Sequence, residues 1–98
     1  MKMNKNLNGT NLEIALEGRL DTMTAPELET ELNQSLANAE SLVLDFTNLE
    51  YISSAGLRVL LSAHKTMSKK RGMKVCHVNE VVQEVFEVTG FADILTIE

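Results

Sequence analysis

Hydrophobic and polar positions alternate near the start of the chain. From Leu12 to Leu16 every second residue is a leucine or isoleucine, and a period of two predicts a half-buried β-strand. The Asn8-Gly9 pair directly before this run is typical of a tight hairpin turn, so a short strand is also predicted over Met3–Leu7. Gly18 is expected to end the second strand.

A helix is predicted next, over residues 25–38. Leu28, Leu32 and Leu36 recur every four residues, which gives the helix one apolar face. The segment Thr24-Ala25-Pro26-Glu27 predicts its start as a capping box, because a hydroxyl residue is followed by a proline in the first turn and a glutamate at the third helical position.

The middle of the chain predicts a strand, a loop and a second helix. Residues 41–46 form a short apolar run, which favours a strand buried on both faces. Thr47 to Ser54 contains turn-forming residues and is interpreted as a loop. The apolar face from Leu57 to His64 predicts a helix. Its end is expected at Lys69-Lys70-Arg71-Gly72, interpreted as a solvated helix end whose basic side chains suit the negative end of the helix dipole.

The last third of the chain continues the alternation of strands and helices. Met73–Val78 is interpreted as a buried strand, Asn79 as the cap of a third helix that ends at Gly90, and Ile94–Ile97 as an edge strand. Strands that alternate with helices indicate parallel pairs joined by crossovers. The prediction is a single α/β domain over residues 1–98. Its sheet is mixed and mostly parallel, with four to five strands, an N-terminal hairpin and three or more helices packed on it.

The composition of the chain argues against two classes of binding partner, nucleic acids and membranes. Nine Lys and Arg residues against 14 Asp and Glu residues give a net charge of −5. A chain without a basic surplus is not expected to bind nucleic acid or an anionic membrane surface, and without a long apolar run it is not expected to insert into a membrane. Its start lacks the apolar segment of a signal peptide, and no apolar run approaches the ~18 residues of a membrane span, so a cytoplasmic location is expected.

Catalytic motifs are absent from the sequence. There is no glycine-rich phosphate loop and no nucleophile elbow around Ser53 or Ser54. Cys76, His77 and His64 lack the paired spacing of a zinc site, and Cys76 is interpreted as a small buried hydrophobe in mid-strand. We therefore expect no enzyme activity, no cofactor and no metal.

One segment, Tyr51 to Leu57, contains two serines that are candidates for a role other than catalysis. Ser53 and Ser54 lie where a loop enters a helix, and Gly56 in the first helical turn is unfavourable for a helix but leaves room for another chain to approach. Serine is a good N-cap, which is one explanation. The other is a phosphoryl site, because a helix N-terminus favours an anion.

Two segments resemble the signature of the STAS domain, as found in bacterial anti-sigma-factor antagonists. They are Asp45–Leu57 and Gly18–Ala25, and the tail Thr89–Leu95 is similar to the family's C-terminal pattern. These motifs, with the order of elements, cover nearly the whole chain.

The resemblance implies a phosphorylation switch. It places the phosphoryl acceptor at Ser54, with Ser53 as second choice, since Ser53 stands where these antagonists often have aspartate. The implied partners are an anti-sigma factor that is also a serine kinase and holds the ATP, and a phosphatase that resets the switch. It also places Asp21 and Asp45 near the acceptor. The residues implied to bind the partner are Asp21, Thr22, Thr24, Asp45, Thr47, Ser53, Ala55, Gly56, Leu57 and Arg58.

Two alternatives remain open from the sequence. A small STAS protein can serve as a non-catalytic adaptor subunit, for example of a lipid-transport ATPase. A receiver domain with Asp45 as acceptor is less favoured, because the chain lacks the adjacent acidic pair that would hold Mg²⁺.

Overall fold

Three helices lie on one face of a five-stranded sheet in the computed structural model, which describes all 98 residues, Met1 to Glu98. Two short 3₁₀ turns, Leu36–Asn38 and Phe91–Asp93, follow the first and third helices. The elements are β1 (Lys2–Asn8), β2 (Asn11–Leu20), α1 (Ala25–Ser35), β3 (Ser41–Ile52), α2 (Ser54–Met67), β4 (Met73–Cys76), α3 (Glu80–Thr89) and β5 (Thr96–Ile97).

The sheet has the strand order β1-β2-β3-β4-β5. Strands β1 and β2 form an antiparallel hairpin, and every other pair is parallel. The predicted α/β class, mixed sheet and N-terminal hairpin are therefore confirmed. The last strand is present but shorter than predicted, because residues 94 and 95 precede it in the turn that follows α3.

The core lies between the sheet and the helices. Rows of paired residues such as Leu12, Leu42 and Met73 face the helices, and the 24 buried hydrophobic residues form one cluster. The opposite face of the sheet, which we call the outer face, carries no helix. Val43 and Asp45 lie on it and are only half-buried. The expectation that residues 41–46 are buried on both faces is wrong, because all three helices pack on the same side.

Strands β2 and β3 are longer than predicted. Gly18 does not end β2; it adopts a φ of +104° beside a register shift, and the strand continues to Leu20. Residues 47–52, expected in a loop, belong to β3. The two strands support each other, because their pairing resumes after each bulge and extends to the Leu20–Ile52 pair. Bulges of this kind are invisible to a simple period of two.

Helix α1 and the turn after it cover the predicted range 25–38, but the capping box does not form. The Thr24 hydroxyl lies 2.7 Å from the Arg19 carbonyl, to which it donates, and accepts from the Asp21 N–H at 2.9 Å. It makes no bond to the first turn of the helix. Thr24 instead closes the turn that precedes α1.

Helix α2 ends at Met67, earlier than expected, and the basic residues after it are not all solvated. The ammonium group of Lys70 donates to the carbonyl oxygens of Leu36 and Ala39 at 2.7 and 2.8 Å. These carbonyls belong to the end of the α1 region, where intrahelical partners run out. Lys70 therefore caps a different helix from the one it follows.

The structure confirms the predicted N-cap and the predicted end of α3. Strand β4, by contrast, is shorter than predicted. The Asn79 side chain accepts from the Val82 N–H at 2.8 Å, and Gly90 ends α3 with a φ of +82°. Strand β4 stops at Cys76 rather than Val78, because His77 adopts a φ of +59°. None of the helices is long and apolar enough to cross a membrane.

Candidate functional site

The ends of β2 and β3 bring the two sequence motifs together. Leu20 and Ile52 pair at these ends, and the Ser53 N–H donates to the Leu20 carbonyl at 2.9 Å. Asp21 follows the first strand and Ser53 the second, so the turn into α1 and the start of α2 lie side by side. This is expected of parallel strands, whose carboxyl ends lie at one edge of the sheet.

Asp21 organises the turn before α1. Its Oδ1 accepts from the N–H groups of Met23 and Thr24 at 3.0 and 3.2 Å, and the Arg19 Nε lies 3.8 Å from its Oδ2. Partial desolvation acts to raise the pKa of Asp21. The hydrogen bonds from Thr24 and Met23, with the Arg19 charge, outweigh it and hold the pKa below its ordinary value of 3.8.

This lowered pKa predicts a stability contribution that depends on pH. It is present above the ordinary carboxyl value, where Asp21 is ionised in both states, and is lost as the pH falls through the folded-state pKa. We expect the urea midpoint to fall more between pH 6 and pH 3 in the wild type than in Asp21→Asn, which keeps the acceptor oxygen but cannot titrate. Parallel losses in the two proteins would show that Asp21 contributes nothing.

The two serines of the α2 start differ in exposure. Ser54 is exposed and is the first residue of the helix. Ser53 occupies the N-cap position, but its Oγ is buried, has no hydrogen-bond partner and caps no N–H group. The first turn of α2 therefore presents N–H groups without a side-chain acceptor, a favourable environment for an anion.

Gly56 and Leu57 lie beneath this surface. Both are buried, and a Cβ on Gly56 would come within 2.8 Å of Ile52 Cγ1 and Leu20 Cγ. The glycine that was expected to leave room for another chain instead lets α2 approach the strand ends of its own sheet. These two residues fix the position of the helix and contribute little surface of their own.

A shallow groove of about 230 Å³ runs between the starts of α1 and α2. It brings together three of the residues expected at a partner surface: Thr22, Ala55 and Arg58. The complete lining is Thr22, Ala25, Pro26, Glu29, Ala55, Arg58 and Val59. Thr24, by contrast, is half-buried and its hydroxyl is occupied within the turn.

Asp45 and Thr47 lie elsewhere. Asp45 is on the outer face, where its Oδ1 accepts from the Thr47 hydroxyl at 2.6 Å and contacts His77 Nδ1 at 2.9 Å. The hydrogen bond from Thr47 is the largest contribution and lowers the pKa of Asp45. Partial desolvation raises this pKa, and the contact with His77 lowers it again. The pKa of Asp45 therefore lies below its ordinary value. Six residues of β3 lie between Asp45 and Ile52, which separates the two by roughly 20 Å of extended strand. The expectation that Asp45 lies near Ser54 is therefore wrong.

Some exposed residues at this edge were not singled out from the sequence. The Arg19 guanidinium lies 4.6 Å from the centre of the Tyr51 ring, and Met23 is 84% exposed. Arg19 and Tyr51 pair across β2 and β3, a register that the bulges obscure. Only the exposure of Met23, an apolar residue in a turn, could have been suspected from the sequence.

The model of the STAS domain family matches residues 2–98. The chain belongs to the STAS domain family. Two relatives support this. BtrV of Bordetella bronchiseptica is 39% identical over 84 residues, which cover 84% of this chain and 72% of BtrV. The anti-sigma F factor antagonist of Paenibacillus polymyxa is 32% identical over 89 residues, which cover 88% of this chain and 76% of that protein.

Solved structures have the same fold as this STAS domain. An anti-sigma factor antagonist from Mycobacterium paratuberculosis superposes with a TM-score of 0.88 at 22% identity, covering 98% of this chain and 83% of that one. The Bacillus cell fate determinant SpoIIAA in its phosphorylated form superposes with a TM-score of 0.76 at 14% identity, covering 99% and 91%.

Proposed function

We propose that this STAS domain is an anti-sigma-factor antagonist that works by partner switching. The unmodified protein binds an anti-sigma factor that is also a serine kinase. This partner transfers a phosphoryl group from its ATP to Ser54, and the phosphorylated protein then dissociates from the partner. A phosphatase restores the free hydroxyl. The sequence relationship to an anti-sigma F factor antagonist supports this class of function. The proposal places the protein in the cytoplasm with its partner and assigns it no catalytic activity.

The exposure of the Ser54 hydroxyl at the start of α2 supports this proposal most directly. A kinase needs access to the oxygen that attacks the γ-phosphate, and Ser54 is exposed whereas the Ser53 Oγ is buried. Ser54 is therefore favoured over Ser53 as the acceptor, in the same order that the family resemblance implied.

The charge of a phosphoryl group explains how modification would release the partner. It adds about −1.5 to −2 charge, which changes the net charge from −5 to roughly −7. The helix N-terminus accommodates this charge, so the fold is expected to persist. The carboxylate of Asp21, in the adjacent turn, adds to the negative potential that a partner meets, so repulsion and steric block act across the interface.

The groove beside Ser54 is the proposed docking surface. Its exposed members Thr22 and Arg58 lie in the turn before α1 and on α2, and its member Ala55 directly follows Ser54 in the chain, so a partner that fills the groove would lie against the acceptor segment. Ala55 belongs to the lining of the groove, and Ser53 and Asp21 lie within two residues of lining positions in the chain. Gly56 and Leu57 act from below, by fixing α2.

Phosphopeptide mass spectrometry tests the proposal. Wild-type protein, Ser54→Ala and Ser53→Ala are purified from the native host, and each is divided into phosphatase-treated and untreated samples. We expect phosphate on Ser54 in the wild type and in Ser53→Ala, and none in Ser54→Ala. Phosphate on Ser53 alone would contradict the assignment of the acceptor. An unmodified protein in every growth state, recovered within a transporter assembly, would instead support the adaptor function.

A further inference from the structure

The outer face of the sheet holds a second group of reactive side chains. Asp45 on β3 and Cys76 on β4 are register partners in adjacent parallel strands, so a carboxylate and a thiol lie side by side. Cys76 is half-buried there rather than enclosed in the core. This group is away from α2 and takes no part in the proposed phosphorylation switch.

The side chain of His77 lies beside Asp45 and Cys76 because the backbone at His77 has an unusual conformation. In a regular strand the side chain after Cys76 would point to the opposite face, toward the helices. His77 instead adopts a φ of +59°, and it is the only non-glycine residue with a positive φ. Its Nδ1 lies 2.9 Å from Asp45 Oδ1, on the outer face. The left-handed backbone thus brings a third donor to the pair, and such outliers concentrate at functional sites.

The three donors have the composition and proximity of a metal site. One carboxylate oxygen, one thiol sulfur and one imidazole nitrogen all lie within 4.8 Å of one another. In tetrahedral zinc sites, with bond lengths near 2.0–2.3 Å, neighbouring ligand atoms are about 3.5 Å apart. A bound ion would require the three side chains to rotate until this difference is closed. We propose that Asp45, Cys76 and His77 bind a zinc ion, with water at the fourth position.

The surroundings of the three donors favour a divalent cation. Partial burial, followed by the charges of Asp45, Glu13 and Glu98, raises the pKa of the Cys76 thiol, and the same three carboxylates make the local potential negative. The His77 and Asp45 side chains are 66% and 23% exposed, so an ion from solvent reaches them without opening the fold. A bound ion would connect β3 to the segment that leads from β4 into α3.

Cobalt and zinc titrations test this site. Reduced, tag-free protein is titrated with Co²⁺ and followed by absorption spectroscopy, and Zn²⁺ is then added to displace it. We expect one metal per chain, a thiolate-to-cobalt charge-transfer band, d–d bands of tetrahedral intensity, and a melting temperature that rises with Zn²⁺.

Variants distinguish a built site from surface binding. Cys76→Ser should abolish the charge-transfer band, and His77→Asn, which tolerates the left-handed backbone, should weaken Zn²⁺ binding at least about tenfold. His64→Gln changes the other histidine of the chain and should bind as the wild type does. Far-ultraviolet circular dichroism confirms that each variant is folded. If no charge-transfer band forms, or if the Zn²⁺ affinity is the same in Cys76→Ser and His77→Asn as in the wild type, the proposal is overturned and only an adventitious ion is present.

Discussion

Replacing Ser54 with aspartate should weaken binding to the anti-sigma partner by at least about tenfold, which corresponds to about 1.4 kcal/mol of binding free energy. The substituted carboxylate imitates the sign of a phosphoryl group at the same exposed position and adds to the charge of Asp21. The melting temperature should change little, because a negative charge in the first turn of a helix contributes about 0.3–1 kcal/mol of favourable interaction with the helix dipole. Calorimetric titration of the partner, with thermal unfolding of the free protein, measures both quantities.

Two variants make this comparison specific. Ser62→Asp adds the same charge to an exposed position of α2, about 12 Å further along the helix axis, and should bind with nearly the wild-type affinity. Ser54→Ala removes the hydroxyl without adding charge and should bind without being released by ATP. Equal weakening in Ser54→Asp and Ser62→Asp would indicate a general charge effect. A large loss of stability in Ser54→Asp would mean that the switch acts through the fold rather than through the interface.

Local patterns in the sequence were sufficient for the order of elements and for the start of a helix at Ser53 and Ser54. The alternation from Leu12 to Leu16 and the Asn79 and Gly90 signals each depend on neighbours within a few residues, and each corresponds to an observed element. The start of α2 was predicted in the same way. Here the structure adds what a one-dimensional pattern lacks: the different exposure of Ser53 and Ser54.

The features that were missed depend on contacts between distant segments. Lys70 bonds to carbonyl groups more than 30 residues away, so no local signal separates it from a solvated lysine. Residues 47–52 carry turn-forming residues, and only pairing with β2 keeps them extended. Asp45 and His77 approach each other only because β3 and β4 are neighbours and the backbone turns at His77. Tertiary pairing overrides local preference in each case.

Replacing Gly56 with alanine should destabilise the domain, although alanine is the better helix former. The added Cβ would lie 2.8 Å from Ile52 Cγ1 and Leu20 Cγ, and both of these side chains are fully buried. These atoms are not the free ends of flexible side chains, so the helix or the strand ends must shift. Overpacking of this kind costs about 1–3 kcal/mol, and the helix propensity of alanine recovers up to about 1 kcal/mol. We expect a lower urea midpoint with an unchanged slope.

A double-mutant cycle separates the clash from other effects of the Gly56 substitution. Leu20→Ala removes the Cγ and Cδ atoms that the new Cβ would meet, so Gly56→Ala should cost less in that background than in the wild type. Ser62→Ala, on the exposed side of the same helix, reports the propensity gain alone and should be neutral or slightly stabilising. If Gly56→Ala costs the same in both backgrounds, contact with Leu20 is not the cause. Because the Gly56 contact sets how closely α2 approaches the strand ends, relieving it by movement of the helix would also displace Ser54. The loss of stability and a loss of partner affinity should therefore appear together in Gly56→Ala.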